Sequence, residues 1–290
     1  MRYNVTLVDP ANYKFAHILT DICRTIAYGL RELRLEADLT INSIETGCTN
    51  IIVGTHLLNP GDVANVVNSG ARYIVLQSEI LNRDPTSGEI VSSYQGHQFE
   101  TVNRPLMEHA AAVWDQLTEL RMLNQLAVTD DKVKRFQIGY CEGLEDFEHR
   151  PYDRKDVDVL FFGSLTPYRQ QILGRMNGLR TAVFGFGPSA FRNDMIARAK
   201  INLSLHSSPE LDYFPQPRTG YLLNNRAFVL AEASIDHPAM RDLVEEAPND
   251  RLAERCVELA ADPTALAERA EAAYERYRHL RMADILAEIL

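Results

Sequence analysis

The sequence predicts an α/β protein made of two Rossmann-like domains, and three observations carry that prediction. Short apolar runs of strand length alternate with helix-length segments on both sides of one polar stretch. The runs are apolar throughout rather than every second residue, as in parallel strands covered on both faces. The chain has 290 residues, 46% hydrophobic and 24% charged, which is enough to build two cores.

The first half reads in order as follows. YNVTLV (3–8) is a strand and 9–14 a polar loop. Residues 16–34 place apolar side chains at 18, 19, 22, 26, 30 and 33, an amphipathic helix. TNIIVGTHLL (49–58) is a strand running into a turn, and 60–68 is a short helix started by Pro60. RYIVLQSEIL (72–81) is a buried strand and 83–98 a polar loop. Residues 104–126 are helical, in two pieces around AAVWD, and FQIGYCE (136–142) is a strand.

CEGLEDFEHRPYDRKD (141–156) is acidic and lacks periodicity, so it is the expected linker. Beyond it come a strand (157–163), a helix (167–177), a strand (181–185), a helix (190–198), a strand (200–205), a helix (218–225) and a strand (226–231). Residues 238–290 are helical, broken at Pro248 and Pro263. The expected domains are 1–148 and 149–270, with 271–290 returning to the first. Two such domains place a cleft between them, at the carboxyl ends of the strands.

Lys and Arg number 30 against 40 Asp and Glu, a formal net charge of −10. Affinity for a phosphate backbone comes from cations, so this balance argues against nucleic acid as a partner. Cys23, Cys48, Cys141 and Cys256 form no CxxC pair, which suggests buried thiols in a reducing compartment. MRYNVTLVDP lacks a signal-peptide apolar region, and no apolar run approaches the ~18 residues of a membrane span. The expected location is the cytoplasm.

Two segments carry the chemistry. In DVDVLFFGSLTPYRQQI (156–172) a strand ends in Gly163-Ser164, and a helix follows with Arg169 in its first turn. Backbone N–H groups at such an exit can approach a diphosphate closely, and a guanidinium can bind it in bidentate fashion. The second segment, 198–232, contains a strand ending at His206, a polar loop, and a helix with Arg218 at its start. A cation is electrostatically disfavoured at a helix N-terminus, and a bound phosphate would reverse that cost. Tyr221, one turn on, suits either base stacking or the core. His206 suits either structure or a ligand role, and His237, in IDHP, reads as loop structure.

DVDVLFFGSLTPYRQQIL, IARAKINLSLH and RTGYLLNNRAFVLAE, together with NIIVGTHLL, YIVLQSEIL, AVWDQLTELRMLNQL and FQIGY, resemble a bacterial family of glycosyltransferase-like proteins. That family is related to spore-maturation-type and family-one glycosyltransferases of the two-Rossmann-domain (GT-B) fold, and the resemblance covers most of residues 1–232. It implies a metal-independent glycosyltransferase with no cofactor beyond its nucleotide-sugar substrate. The second domain would hold the donor through Gly163, Ser164, Arg169, His206, Arg218 and Tyr221. The first would hold a saccharide or other small or macromolecular acceptor. His17, Glu79 or Asp115 would handle the acceptor proton; a neutral imidazole with a pKa of about 6.5 can do so. One departure stands out: Pro215 occupies the place of an acidic residue expected to hold the donor ribose, which leaves Gln216, Glu210 or Asp212 as substitutes. It also leaves a second reading, a non-catalytic nucleotide- or sugar-binding protein or partner subunit. No DxD pair is placed for a metal; Glu145-Asp146 and Asp130-Asp131 read as solvated charge.

Overall fold

The computed structural model describes residues 1–83, 86, 90–92, 98–116, 131–236 and 238–290. They fall into two compact units, Met1–Gln137 with Met282–Leu290, and Ile138–Arg281.

The first unit is a six-stranded sheet: β1 (Arg2–Leu7), β2 (Glu36–Ile41), β3 (Thr49–Val53), β4 (Arg72–Gln77), β7 (Ala112–Asp115) and β8 (Val133–Arg135). The spatial order is β2-β1-β3-β4-β7-β8 and every pairing is parallel. All carboxyl ends therefore share one edge. A separate antiparallel pair, β5 (Leu81–Arg83) and β6 (Ile90–Ser92), follows β4. Helix α1 is Thr20–Glu32, α2 is Pro60–Asn68 and α3 is Gln98–His109. Asn59 and Asp62 form a reciprocal capping box that fixes the start of α2. Ile52, Val75 and Val113 pack with Val63, Val66, Val102 and Leu106 in one core. Each such side chain contributes about 1.5–3 kcal/mol by leaving water.

The second unit is a five-stranded parallel sheet: β9 (Val157–Phe162), β10 (Thr181–Phe184), β11 (Ala199–Ser204), β12 (Val229–Glu232) and β13 (Glu245–Ala247), ordered β10-β9-β11-β12-β13. Its helices are α4 (Pro167–Leu173), α5 (Ser189–Arg198), α6 (Gln216–Asn224), α7 (Leu252–Ala260) and α8 (Pro263–Tyr277). Val159, Phe161, Ile201, Leu203 and Leu230 form the core with Ile172, Cys256, Leu259 and Leu266. Helix α9 (Met282–Ile289) packs on α1 within the first unit. A side chain at Gly29 would meet Met282 Cγ at 2.7 Å, so that contact needs glycine.

The observed elements differ from the sequence expectation in places that have physical reasons. AVWD, read as a break between helices, is β7; four residues are too few to show a period against helical flanks. EADLTI was not read as a strand and is β2, an edge strand whose charged Glu36 and Asp38 face solvent. The strand expected at 136–142 is displaced to Val133–Arg135. Residues 117–130, holding the second expected helical piece, lie outside the described residues, as does His237. The units divide at 137/138 rather than within 141–156, because α6 holds the intervening segment. Cys141 N donates to Asn224 Oδ1 at 2.9 Å and Asp146 N to Asn225 Oδ1 at 2.7 Å. Glu145 and Asp146 are correspondingly not free solvated charge, since they accept from Tyr140 (2.6 Å) and Tyr221 (2.8 Å).

Lys155, just before β9, is buried. Its Nζ donates to Ala199 O at 2.8 Å, lies 2.9 Å from His149 Nδ1 and sits 4.1 Å over the Tyr152 ring. Burial pushes its pKa down to about 7. An unfolded chain holds this proton up to about 10.4. Between those values the unfolded state binds more protons, so this group makes folding more favourable as pH rises. Relative to Lys155→Met, wild-type stability is expected to gain up to ~1.4 kcal/mol per pH unit between about pH 7 and 10. Urea unfolding of both proteins at several pH values checks this; parallel pH profiles would refute it.

Candidate functional site

The second unit assembles its site at the carboxyl edge of β9, β11 and β12. Strand β9 ends at Phe162, and Gly163, the next residue, has φ +132°, a conformation essentially reserved for glycine. Its N–H is bonded to Phe184 O at 3.0 Å. Thr166 caps α4, accepting from Arg169 N at 3.3 Å and donating to Ser207 O at 2.8 Å. That sets Arg169 in the first turn, buried.

Arg169 spends its guanidinium on the protein. Nε donates to His206 O (2.7 Å), Nη2 to Leu205 O (2.9 Å), and Nη1 to Ser164 O (2.9 Å) and Ser164 Oγ (2.8 Å). It thus fastens the exits of β9 and β11 together. Burial pushes its pKa down to about 10, partly offset by Glu232.

Arg218, in the first turn of α6, donates Nη1 to the same Leu205 O at 3.0 Å, its one hydrogen bond among the described residues. Both guanidinium carbons lie over the Phe161 ring, Arg169 at 5.2 Å and Arg218 at 5.1 Å. Arg218 Nη2 lies 2.8 Å from where a side chain on Gly163 would begin. Burial and the neighbouring Arg169 charge push the Arg218 pKa well below its usual value. Arginine does not give up its proton in proteins. The shift therefore reflects first the cost of taking the guanidinium out of water and second the like charge of Arg169, both of which an anion at Gly163 would offset.

Gly163→Ala combines a strained backbone with a collision against Arg218. It is expected to destabilise the unit by about 1–3 kcal/mol. Thermal melting of the purified variant checks this; an unchanged melting midpoint would contradict it.

His206 and Tyr221 make specific contacts inside the unit. His206 is buried; its N–H donates to Glu232 Oε2 at 3.0 Å, and its Nε2 lies 3.0 Å from Ser234 Oγ. Glu232, which sequence reasoning missed, is buried at the end of β12 and also accepts from Tyr168 OH. Burial alone would raise its pKa, but the bonds from His206 and Tyr168 outweigh that and lower it. Its one signal in sequence is an acid closing the apolar run FVLAE. Tyr221 is buried, bonded to Asp146 and Asn193 (2.8 Å each), with the Arg192 guanidinium over its ring at 4.1 Å. Of the residues considered against Pro215, Gln216 accepts from Ile138 N at 3.4 Å and Glu210 is exposed, its pKa lowered by Ser208. The Asp212 carbonyl accepts from Ile235 N at 3.0 Å.

In the first unit the acceptor-side candidates follow strand ends. His17 is exposed on a 3-10 turn (Ala16–Leu19), its Nδ1 3.2 Å from Lys14 O. Asp115 is buried as the last residue of β7, in register with Gln77 at the end of β4. Glu79 lies two residues past Gln77, and its Oε1 is 3.4 Å from His56 Nδ1. His56, a second residue missed in sequence, is buried on the 3-10 turn Thr55–Leu57 just after β3. Burial lowers its pKa more than Glu79 raises it, so the imidazole is neutral at pH 7. Among the described residues, no group of three or more His, Cys, Asp or Glu is placed to hold a metal ion, and no helix is long and apolar enough to cross a membrane.

No protein-family model and no curated protein matches the chain. Solved structures do match, along its whole length. An alpha-glucosyltransferase in complex with UDP and a 13-mer DNA is 9% identical, with 99% of this chain and 98% of that one covered and a TM-score of 0.68. T4 phage BGT in complex with UDP and Mn2+ is 13% identical, with 100% and 99% covered and a TM-score of 0.55. AviGT4, a glycosyltransferase involved in avilamycin A biosynthesis, is 13% identical, with 99% and 96% covered and a TM-score of 0.51. The fold is thus the two-Rossmann-domain GT-B fold of glycosyltransferases, as the sequence led us to expect. The argument from net charge against nucleic acid does not stand, because a protein of this fold is solved with DNA.

Proposed function

We propose that the chain is a glycosyltransferase that holds the diphosphate of a nucleotide-sugar donor at Gly163 and Arg218. The carrying observation is the convergence of two guanidinium groups on Leu205 O beside a strand exit that has no side chain. Arg218 stabilises the charge that develops on the leaving diphosphate. Arg169 holds Leu205, His206 and Ser164 in place beneath it, and Glu232 with His206 braces the neighbouring strand end. Because the guanidinium supplies the positive charge, turnover runs without a resident metal or cofactor.

The acceptor carries a hydroxyl, on a saccharide or on a modified DNA base. His56, with Glu79 on its Nδ1 side, takes the hydroxyl proton as the oxygen attacks the anomeric carbon; Asp115 and His17 are the other groups assigned to the acceptor side. Four free cysteines, three of them buried, suit a cytoplasmic setting.

The test is a panel of nucleotide sugars, with and without EDTA, offered with glucosides and with hydroxymethylated DNA as acceptors. Release of nucleoside diphosphate, undiminished by EDTA, is the expected result. Pro215 in place of an acid favours one rival reading, a binding protein without chemistry. Tight nucleotide binding with no release from any donor would establish the rival.

A further inference from the structure

Resting on the transferase reading above, we infer that Gln77 decides which acceptor the first unit takes: its Oε1 accepts a hydrogen bond from a second hydroxyl of a saccharide, beside the hydroxyl that reacts. Gln77 is the last residue of β4 and is 1% exposed. Its backbone is pinned, since Gln116 N donates to Gln77 O at 3.0 Å. Its side chain is pinned too, with Nε2 donating to Glu79 O at 2.7 Å. A carbonyl can only accept, so the amide nitrogen must face it and the amide oxygen must point elsewhere. That oxygen is buried and has no hydrogen-bond partner among the described residues. Such groups are rare in native proteins and costly to leave unpaired, and a ligand O–H would satisfy this one.

Its neighbours tie this oxygen to the acceptor side. Glu79, whose carbonyl holds the amide, carries the carboxylate that lies 3.4 Å from His56 Nδ1. Asp115 sits beside Gln77 in parallel register, so the two side chains leave the same face of the sheet. The Glu79 side chain is 20% exposed, so the surface is two residues away. An amide oxygen and two ionised carboxylates only accept hydrogen bonds. A saccharide matches them with a ring of hydroxyl donors and carries no charge. A nucleic-acid acceptor would instead bring its phosphates towards two carboxylates.

The experiment measures nucleoside diphosphate release by wild type and Gln77→Met. The acceptors are methyl glucoside, galactoside and mannoside, the monodeoxy derivatives of each one accepted, and hydroxymethylated DNA. In wild type, one monodeoxy derivative that keeps the reacting hydroxyl is expected to lose roughly 5- to 150-fold in kcat/KM. Gln77→Met keeps the side-chain length and removes the oxygen, so it should treat that derivative and its parent alike, with nucleoside diphosphate affinity unchanged. A merely structural glutamine would slow both substrates together and leave their ratio intact. An intact ratio would overturn the inference. So would wild type that is indifferent to every such deoxygenation, a result that needs no variant to fold. Turnover of hydroxymethylated DNA with none of the hexosides would overturn the saccharide and leave the transferase standing. No release to any acceptor would bring down the transferase reading and this inference together.

Discussion

His56→Ala is expected to cut turnover by about 10²–10⁴-fold, the worth of a general base, while nucleoside diphosphate affinity stays near wild type. The argument is geometric before it is electrostatic. His56 directly follows β3, and Glu79 lies 3.4 Å from its Nδ1. That contact favours the tautomer whose Nε2 accepts a proton. Burial keeps the ring neutral, so the acid limb of the pH–rate profile lies below about pH 6.5. Glu79 raises the His56 pKa, so Glu79→Gln should move that limb to still lower pH. A structural role for Glu79 would change the rate without moving the limb. His17→Ala is expected to stay within about tenfold, since this ring is exposed and its Nδ1 lies 3.2 Å from Lys14 O of its own loop. Loss concentrated in His17→Ala or Asp115→Asn, with His56→Ala mild, would reassign the base.

Arg218→Ala should weaken nucleoside diphosphate binding by about 1.5–3 kcal/mol, the value of a charge-assisted hydrogen bond, or roughly 10- to 150-fold. Its effect on folding should be small. Among the described residues the side chain makes one hydrogen bond, to a carbonyl that Arg169 also serves, and its removal relieves a like-charge contact. Arg169→Ala should behave in the opposite way. It strips the Arg169 donors from the His206 carbonyl and from Ser164, while Leu205 O keeps its bond from Arg218. Unsatisfied buried acceptors cost about 1–3 kcal/mol each, so stability falls first and binding falls with it. Calorimetric titration and melting curves on the pair separate a binding arginine from a bracing one. If Arg218→Ala lost stability and kept affinity, the two roles would have to be exchanged.

These two arginines show where the sequence stops being informative. FFGSLTPYR displayed the strand, the glycine exit and a helix carrying Arg169, all local patterns. Nothing local told that Arg169 reaches carbonyls 36 and 37 residues away, which decides its role. Arg218 stood out because a cation at a helix start is unfavourable, a conflict visible in the chain itself. Glu232 was hidden because it reads as the last residue of an apolar strand; its partners His206 and Tyr168 come from other elements. His56 was hidden for the same reason: GTHLL reads as a turn, and only pairing β3 beside β4 brings Glu79 to it. Edge strand β2 escaped notice because a half-exposed strand carries charges where a buried one would not. Periodicity and turn chemistry therefore conveyed the alternation of elements, while contacts across elements conveyed what each side chain does.

The most direct test of the diphosphate cradle is to titrate wild-type protein with UDP, GDP and dTDP, each against its own monophosphate. In the proposed cradle Arg218 and the Gly163 exit, which lie side by side, both meet the phosphate chain. The preferred diphosphate should therefore bind at least about tenfold more tightly than its monophosphate, and Arg218→Ala should abolish most of that difference. Equal affinity for the two, or a difference that survives in Arg218→Ala, would contradict the assignment of the donor site.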